Sequence, residues 1–376
     1  MGFKFVILWT DVALWVLFAT LIGYGFRVVR HDTLRATWRR VLRDAAALCS
    51  SLVLLLFVGV TAADSVHFRR GLPPADGQPA GTQFFDTRTE SLLDLVLARQ
   101  IGMRETTYSA PLGWQAITKQ TVTRDGQSVR ELPRLLHGGA HLKNPATEWQ
   151  ADLWQRALLG VAGGLAVALL GALLATALLA KSHGGLGAAW RDLLADRTHY
   201  PVRALLLTLT VACLLAGPVV ALMGHYHVFG TDRTGNDVLV QTLKSIRTAF
   251  VIGMLSTLAT LPIAVVLGIL AGWYRGWVDE VVQYLYTTLT SVPNVLLIAA
   301  CVLMVQVALD KHPEWFETGA ERSDIKVFLL CFILGVTGWS TLCRLVRAET
   351  LKLRELEFVQ AATAFGVAPA DRKSVV

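Results

Sequence analysis

The chain has 376 residues, 53% of them hydrophobic and 17% charged, with mean hydropathy +0.49 and a formal net charge of +7. Charged residues make up roughly a quarter of a soluble domain, and several apolar runs here reach the roughly 20 residues that cross hydrocarbon. An ordinary water-soluble globular protein is therefore excluded, and the composition defines an all-α polytopic membrane protein of about seven transmembrane helices. The basic surplus implies no nucleic acid, because in membrane proteins Lys and Arg mostly set topology.

Phe5 to about Phe26 is the first span, too long and too poor in preceding basic residues for a cleavable signal peptide. Asp11, two turns from its start, is expected at the interface. Arg27 to Asp44 carries six Arg against two Asp, which places it in the cytoplasm and the N-terminus outside. Ala45 to about Ala63 returns outward and closes an N-terminal two-helix segment, 1–63.

Residues 64–156 form a long polar segment with eleven basic and ten acidic residues, expected as a small α+β extracytoplasmic insertion. Pro73 to Gly81 has loop composition. Thr89 to Arg99 has a helical pattern with Thr89 as its cap, and Gln120 to Glu131 carries a hairpin signal in Asp125-Gly126. Two readings of the insertion stay open: a folded cap on the bundle, or a contact surface for a substrate-binding protein.

Ala157 to Ala180 is a span rich in Gly and Ala, so close helix approach is expected to bury it in the bundle. With the basic loop Lys181 to Arg203 it makes a unit at 157–203. Further spans are expected at Ala204–Met223, Val251–Tyr274, Gln283–Leu309 with a kink at Pro293, and Val327–Cys343. Asp310 to Lys326, with five acidic and three basic residues, fits the outside. The short Arg275–Glu280 turn, which falls inside, breaks the charge alternation by being net acidic.

Between the fourth and fifth of these spans lies HYHVFGTDRTGNDVLVQTLKSIRTAF, 225–250. Thr231-Asp232 and Asn236-Asp237 supply turn and N-cap chemistry ahead of a helix, shaping an outer elbow. His225 and His227, without Cys or a third ligand nearby, do not define a nickel site, and no metal or other cofactor is expected. After the last span, Ser340 to Gly366 turns charged at Arg344 and continues as a short amphipathic helix. Leu351, Phe358, Ala361, Ala362 and Phe365 share one face at helical spacing, and Gly366 and Pro369 stop it. Periodicity leaves two alternatives open: docking into a partner's groove, or lying in the lipid headgroups.

Gln360-Ala361-Ala362, three residues, then Gly366 resembles the E-A-A, three residues, Gly loop of binding-protein-dependent ABC importer permeases, with Gln360 in place of Glu. Gly230, Thr231, Asp232, Gly235, Asp237, Val238 and Leu239 match that family's H-x-x-G-T-D-x-x-G-R-D-V-L segment, in its dipeptide/oligopeptide/nickel branch. Arg247 matches a following G-x-R-x-S, while Asn236 and Ser245 depart from the usual Arg and Gly. Ala271 to Glu280 resembles the family's G-Y-Y-G-G-W-V-D turn.

The resemblance covers about Ala204 to Pro369 and implies a partial permease core at 204–370. It implies that Glu355, Gln360, Ala361, Ala362 and Gly366 couple to an ATPase, and that Gly230, Thr231, Asp232, Gly235 and Asp237 form the family's outer motif. The implied partners are a second homologous permease, two ABC ATPase subunits and an extracytoplasmic substrate-binding protein, within inner-membrane lipid. The implied role is ATP-driven import of peptides or related small solutes. The chain would itself be no enzyme: G-x-x-x-x-G-K-S/T, H-E-x-x-H and G-x-S-x-G are all absent. A membrane receptor sensing a ligand through 64–156 is the alternative, but no cytoplasmic output domain is visible. The family pattern continues past Gly366 into two more spans. Residues 371–376 (DRKSVV) match one frame of a common sequencing adapter and are expected to be a non-native tail, the gene being cut there.

Overall fold

The computed structural model describes residues 3–71, 85–124, 127–183, 185–316 and 318–366. The expected loop at Pro73–Gly81, the Asp125-Gly126 turn, Pro369 and the 371–376 tail lie outside these residues. Two compact units divide the chain: Met1–Phe5 with Leu17–Arg247, and Val6–Val16 with Thr248–Val376.

Strand β1 (Phe3–Val6) leads into α1 (Trp9–Arg30), whose residues up to Val16 belong to the second unit and whose remainder belongs to the first. The first span therefore starts four residues later than expected, because Phe5 belongs to a strand. The basic α2 (Asp32–Val41) follows, then the apolar α3 (Ala45–Asp64), whose first turn is capped by Asp44 accepting from the Ala47 amide. The insertion is α+β in content. It holds β2 (His67–Arg70), β3 (Glu90–Ser91), the short helices α4 (Leu92–Val96) and α5 (Ala98–Gly102), and the hairpin strands β4 (Gln120–Arg124) and β5 (Gln127–Glu131). The first three strands form one sheet in the order β1-β2-β3. β4 and β5 pair antiparallel from Gln120↔Glu131 to Arg124↔Gln127, the hairpin expected over Gln120–Glu131. Ser91, not Thr89, caps the insertion helix: its hydroxyl accepts from the Asp94 amide while the Asp94 carboxylate accepts from the Ser91 amide. Thr89 precedes the two strand residues that delay the helix.

α6 (Pro145–His183) starts twelve residues before the expected apolar run, with Pro145 at its first position. It packs against α8 (Val202–Leu222), with α7 (Leu186–Leu194) between them in the chain. A Cβ on Gly160 would lie 2.5 Å from the Gly217 carbonyl oxygen, and one on Gly164 only 2.4 Å from that of Cys213. The expected close approach is real, but it covers one face only. Leu158, Leu169, Leu174 and Leu178 on other faces are all exposed, so α6 is not buried in the bundle.

α9 (Val238–Tyr274) runs from the first unit into the second, beginning well before Val251 because Asp237 caps it. The expected sixth span is two helices, α10 (Trp277–Ser291) and α11 (Asn294–Lys311). Val292 is forced to the extended region before Pro293, which turns a kink into a break. After a single 3-10 turn at Pro313–Trp315 come α12 (Gly319–Arg354) and α13 (Glu357–Ala364). In this unit Asp324 of α12 accepts from the Thr10 amide at 3.0 Å and from its hydroxyl, and neighbouring Asp11, in the first turn of α1, is buried within the protein. The core of the unit gathers Ala264, Ala271, Val282, Tyr286, Trp339 and Cys343 from α9, α10 and α12.

Seven helices among the described residues are long and apolar enough to cross a membrane: α1, α3, α6, α8, α9, α11 and α12. Their outward leucines, such as Leu54, Leu55 and Leu56 on α3, would be a liability in water and are compatible with lipid as solvent.

Candidate functional site

The outer motif folds as a tight elbow between α8 and α9. Gly230 and Gly235 both hold positive φ, +75° and +80°. Between them the Asp232 carboxylate accepts from the amides of Thr234 (2.8 Å) and Asn236 (2.9 Å) and from the Gln241 side chain (2.5 Å). These bonds outweigh the burial that would raise it, and hold its pKa below the ordinary aspartate value. Asp237 caps α9, its Oδ1 accepting from the Leu239 amide at 2.8 Å. Asn236, one of the departures from the family pattern, donates to the Thr234 hydroxyl at 2.7 Å and stays within the same turn.

This elbow is held by the insertion. The Glu105 amide donates to the Gly235 carbonyl at 2.9 Å, the Leu112 amide to that of His227 at 2.9 Å, and the Gly139 amide to that of His225 at 3.0 Å. The Thr231 hydroxyl donates to the Thr107 carbonyl at 2.8 Å. A Cβ on Gly235 would fall 1.7 Å from the Glu105 carbonyl oxygen, and one on Gly230 2.4 Å from that of Ser109. Both glycines are thus required twice over, by φ and by the backbone lying against them.

A buried charge cluster closes the elbow. His227 is fully buried, with Nδ1 2.8 Å from Asp237 Oδ2 and Nε2 3.3 Å from Glu105 Oε1. Both ring nitrogens face carboxylates, so both carry protons. Burial alone would lower the His227 pKa, but its bonds to Asp237 and Glu105 raise it to about 9. Burial likewise pushes Glu105 up, yet His227 and the amides of Leu136, His137 and Gly138 bring it down to about 2. His227 is thus an ion-pair partner. His225 instead faces Arg156, 3.1 Å from its Nη1. Glu105 is invisible to sequence reasoning: it stands 122 residues from His227 with no motif around it.

The segment expected to couple, 344–366, lies in the second unit. The expected amphipathic face is split, because α12 carries Leu351 and ends at Arg354, Leu356 is extended, and α13 starts afresh at Glu357. Leu351 and Phe358 therefore do not belong to one helix. On α13 Ala362 is buried, Ala361 and Phe358 are exposed, and Phe365 just beyond it is 86% exposed. Gly366 follows with φ +72°, the left-handed stop expected of it. The Gln360 side chain reaches back to Glu355, donating to its carbonyl at 3.2 Å and to its Oε2 at 3.3 Å.

The α9–α10 turn packs beside this segment. Arg275 and Gly276 are both left-handed, at +55° and +57°, and Arg275 stands where the family turn carries glycine. Asp279 pairs bidentately with Arg347 of α12, at 2.5 and 2.7 Å, which together with its other hydrogen bond keeps its pKa below the ordinary value. Arg354 donates to the Trp273 carbonyl at 2.7 Å, and Arg275 pairs with Glu355 at 2.5 Å. Close packing lets the helices approach here: a Cβ on Gly272 would lie 2.7 Å from that of Thr350. The Gly230–Asp237 and Glu355–Gly366 sets are each brought together, within the first and second unit respectively.

Residues 264–372, which include α10 to α13, match the family described as binding-protein-dependent transport system inner membrane component. With seven apolar helices among the described residues, the chain is a multi-pass inner membrane protein that is similar over 264–372 to this family. It is 30% identical over 144 residues to the oligopeptide transport system permease protein OppC of Mycobacterium tuberculosis, covering 38% of this chain and 44% of that one. It is 29% identical over 140 residues to OppC of Bacillus subtilis, covering 37% and 40%. It is 27% identical over 140 residues to the dipeptide transport system permease protein DppC of Lactococcus lactis, covering 37% and 36%. The chain spans less than half the length of these curated relatives. The outer motif at 230–237 precedes the family match, which begins at residue 264.

Proposed function

We propose that the chain is a permease subunit of an ATP-driven importer for peptides or related small solutes. In this reading it lines the translocation path with a second, homologous permease. Two ATPase subunits bind on the cytoplasmic side, and a binding protein delivers substrate outside. The basic Arg27–Asp44 segment sets that sidedness.

The observation that carries the reading is α13. It is a separate eight-residue helix after a long apolar one, within the family match, with apolar Phe358 and Phe365 left uncovered. So short a helix is unstable alone in water and is suited to seating in a partner's groove. ATP-driven closure of the ATPase pair would push on α13 and be carried into α12 and α9. Glu355, Gln360, Ala361, Ala362 and Gly366 form the coupling set. The insertion serves as a cap on the bundle, since its backbone bonds go to the 225–237 elbow. Ala361→Arg adds bulk and charge on the exposed face of α13 without disturbing its packing. We expect it to lower the affinity of the detergent-solubilised chain for its ATPase subunits at least about tenfold, the effect of roughly 1.4 kcal/mol. Unchanged affinity and unchanged transport would refute the proposal.

A further inference from the structure

We infer that Arg275 is a positioning residue for the coupling helix, acting through Glu355 and Gln360 to fix α13 against the α9–α10 turn. The inference rests on the reading that α13 docks an ATPase, and it deepens that reading. Three arginine ties fasten the turn to the end of α12. Arg347 grips Asp279, Arg354 reaches the Trp273 carbonyl, and Arg275 reaches Glu355. The first two end on α12 or within its last turn. The third continues, because Glu355 is the capping residue between α12 and α13 and its other carboxylate oxygen accepts from Gln360, inside α13. Little else holds α13: its one buried side chain is Ala362.

The conformation of Arg275 points the same way. A residue with a Cβ is disfavoured at φ +55°, and glycine would take that conformation freely. An arginine kept there gives the turn a guanidinium aimed at the α12–α13 junction. Lys352 pairs with Glu349 instead, at 2.8 Å.

The test is hydrogen exchange of the α13 amides in the full chain, in lipid nanodiscs without partners. Arg275→Gly keeps the left-handed turn and removes the guanidinium together with the rest of the side chain. We expect residues 357–364 to exchange about two- to fivefold faster, the scale of an exposed ion pair. Glu355→Gln should do the same, and the charge-swapped pair R275E/E355R should restore slow exchange. Residues 225–239 should not change in any variant. Unaltered α13 exchange in Arg275→Gly, or a charge swap that restores nothing, overturns the inference. ATPase affinity, measured on the same variants, separates the two ideas. Faster exchange with weaker affinity supports both, whereas faster exchange with unchanged affinity leaves the tie standing and removes the docking reading.

Discussion

The elbow at 225–239 and the proposed coupling segment at 344–366 are both short connections held by charge, yet they are held in opposite ways. At the elbow the charges are sealed: His227 is fully buried and lies between Glu105 and Asp237. At the coupling segment the Arg275–Glu355 pair is open, with side chains 46% and 60% exposed. Buried charges are costly to separate once paired, while exposed pairs contribute little and yield easily. The elbow is thus held in one shape, whereas α13 is tied loosely, as the proposed coupling role requires.

Glu105→Ala should break that contrast most severely. It leaves His227 with one carboxylate and strips the acceptor from three amides, at a cost of about 3–5 kcal/mol. Arg275→Ala should cost under about 1 kcal/mol, and thermal unfolding of both variants in one detergent checks the ratio. Gly235→Ala should come next, at about 3 kcal/mol. It combines the left-handed penalty with loss of the Glu105–Gly235 backbone bond, because its Cβ cannot sit 1.7 Å from an oxygen. Gly276→Ala, at φ +57° and ψ −137° but with open space around its Cβ, should show only the backbone penalty of about 1–3 kcal/mol. Equal losses in the two glycine variants would mean that the insertion does not grip the elbow.

The pH response sharpens the comparison further. The His227 pKa is raised, so its stabilising effect is complete below the unfolded value near 6.5 and is lost as pH rises through about 9. The Glu105 pKa is depressed, so its effect is complete above about 4.5 and is lost as pH falls through about 2. Exchange protection at 225–239 should therefore be greatest between about pH 4.5 and 6.5 and should fall toward pH 9. His227→Asn should remove the alkaline loss. A native elbow whose protection does not fall between pH 7 and 9 would contradict the buried ion pair.

Much of this was legible in the residues. Apolar runs and basic loops predict the seven spans, because lipid demands about 20 apolar residues and leaves no other way to satisfy the backbone. The hairpin over Gln120–Glu131, the Asp237 cap and the Gly366 stop follow from local chemistry, since each acts within a few residues of itself. Local pattern misplaces helix ends wherever a polar turn continues an apolar helix, as at Val238 and Gly319. It also reads Pro293 as a kink where the preceding Val292 goes extended and breaks the helix.

Sequence alone therefore determined the class of protein, its spans and the two motifs, because hydrophobic length and turn chemistry are short-range properties. Only the tertiary structure decided what those motifs touch. Glu105 meets His227 across 122 positions, and Arg275 meets Glu355 across 80. No period or spacing encodes such a pairing, since a charge finds its partner only after the helices between them have packed.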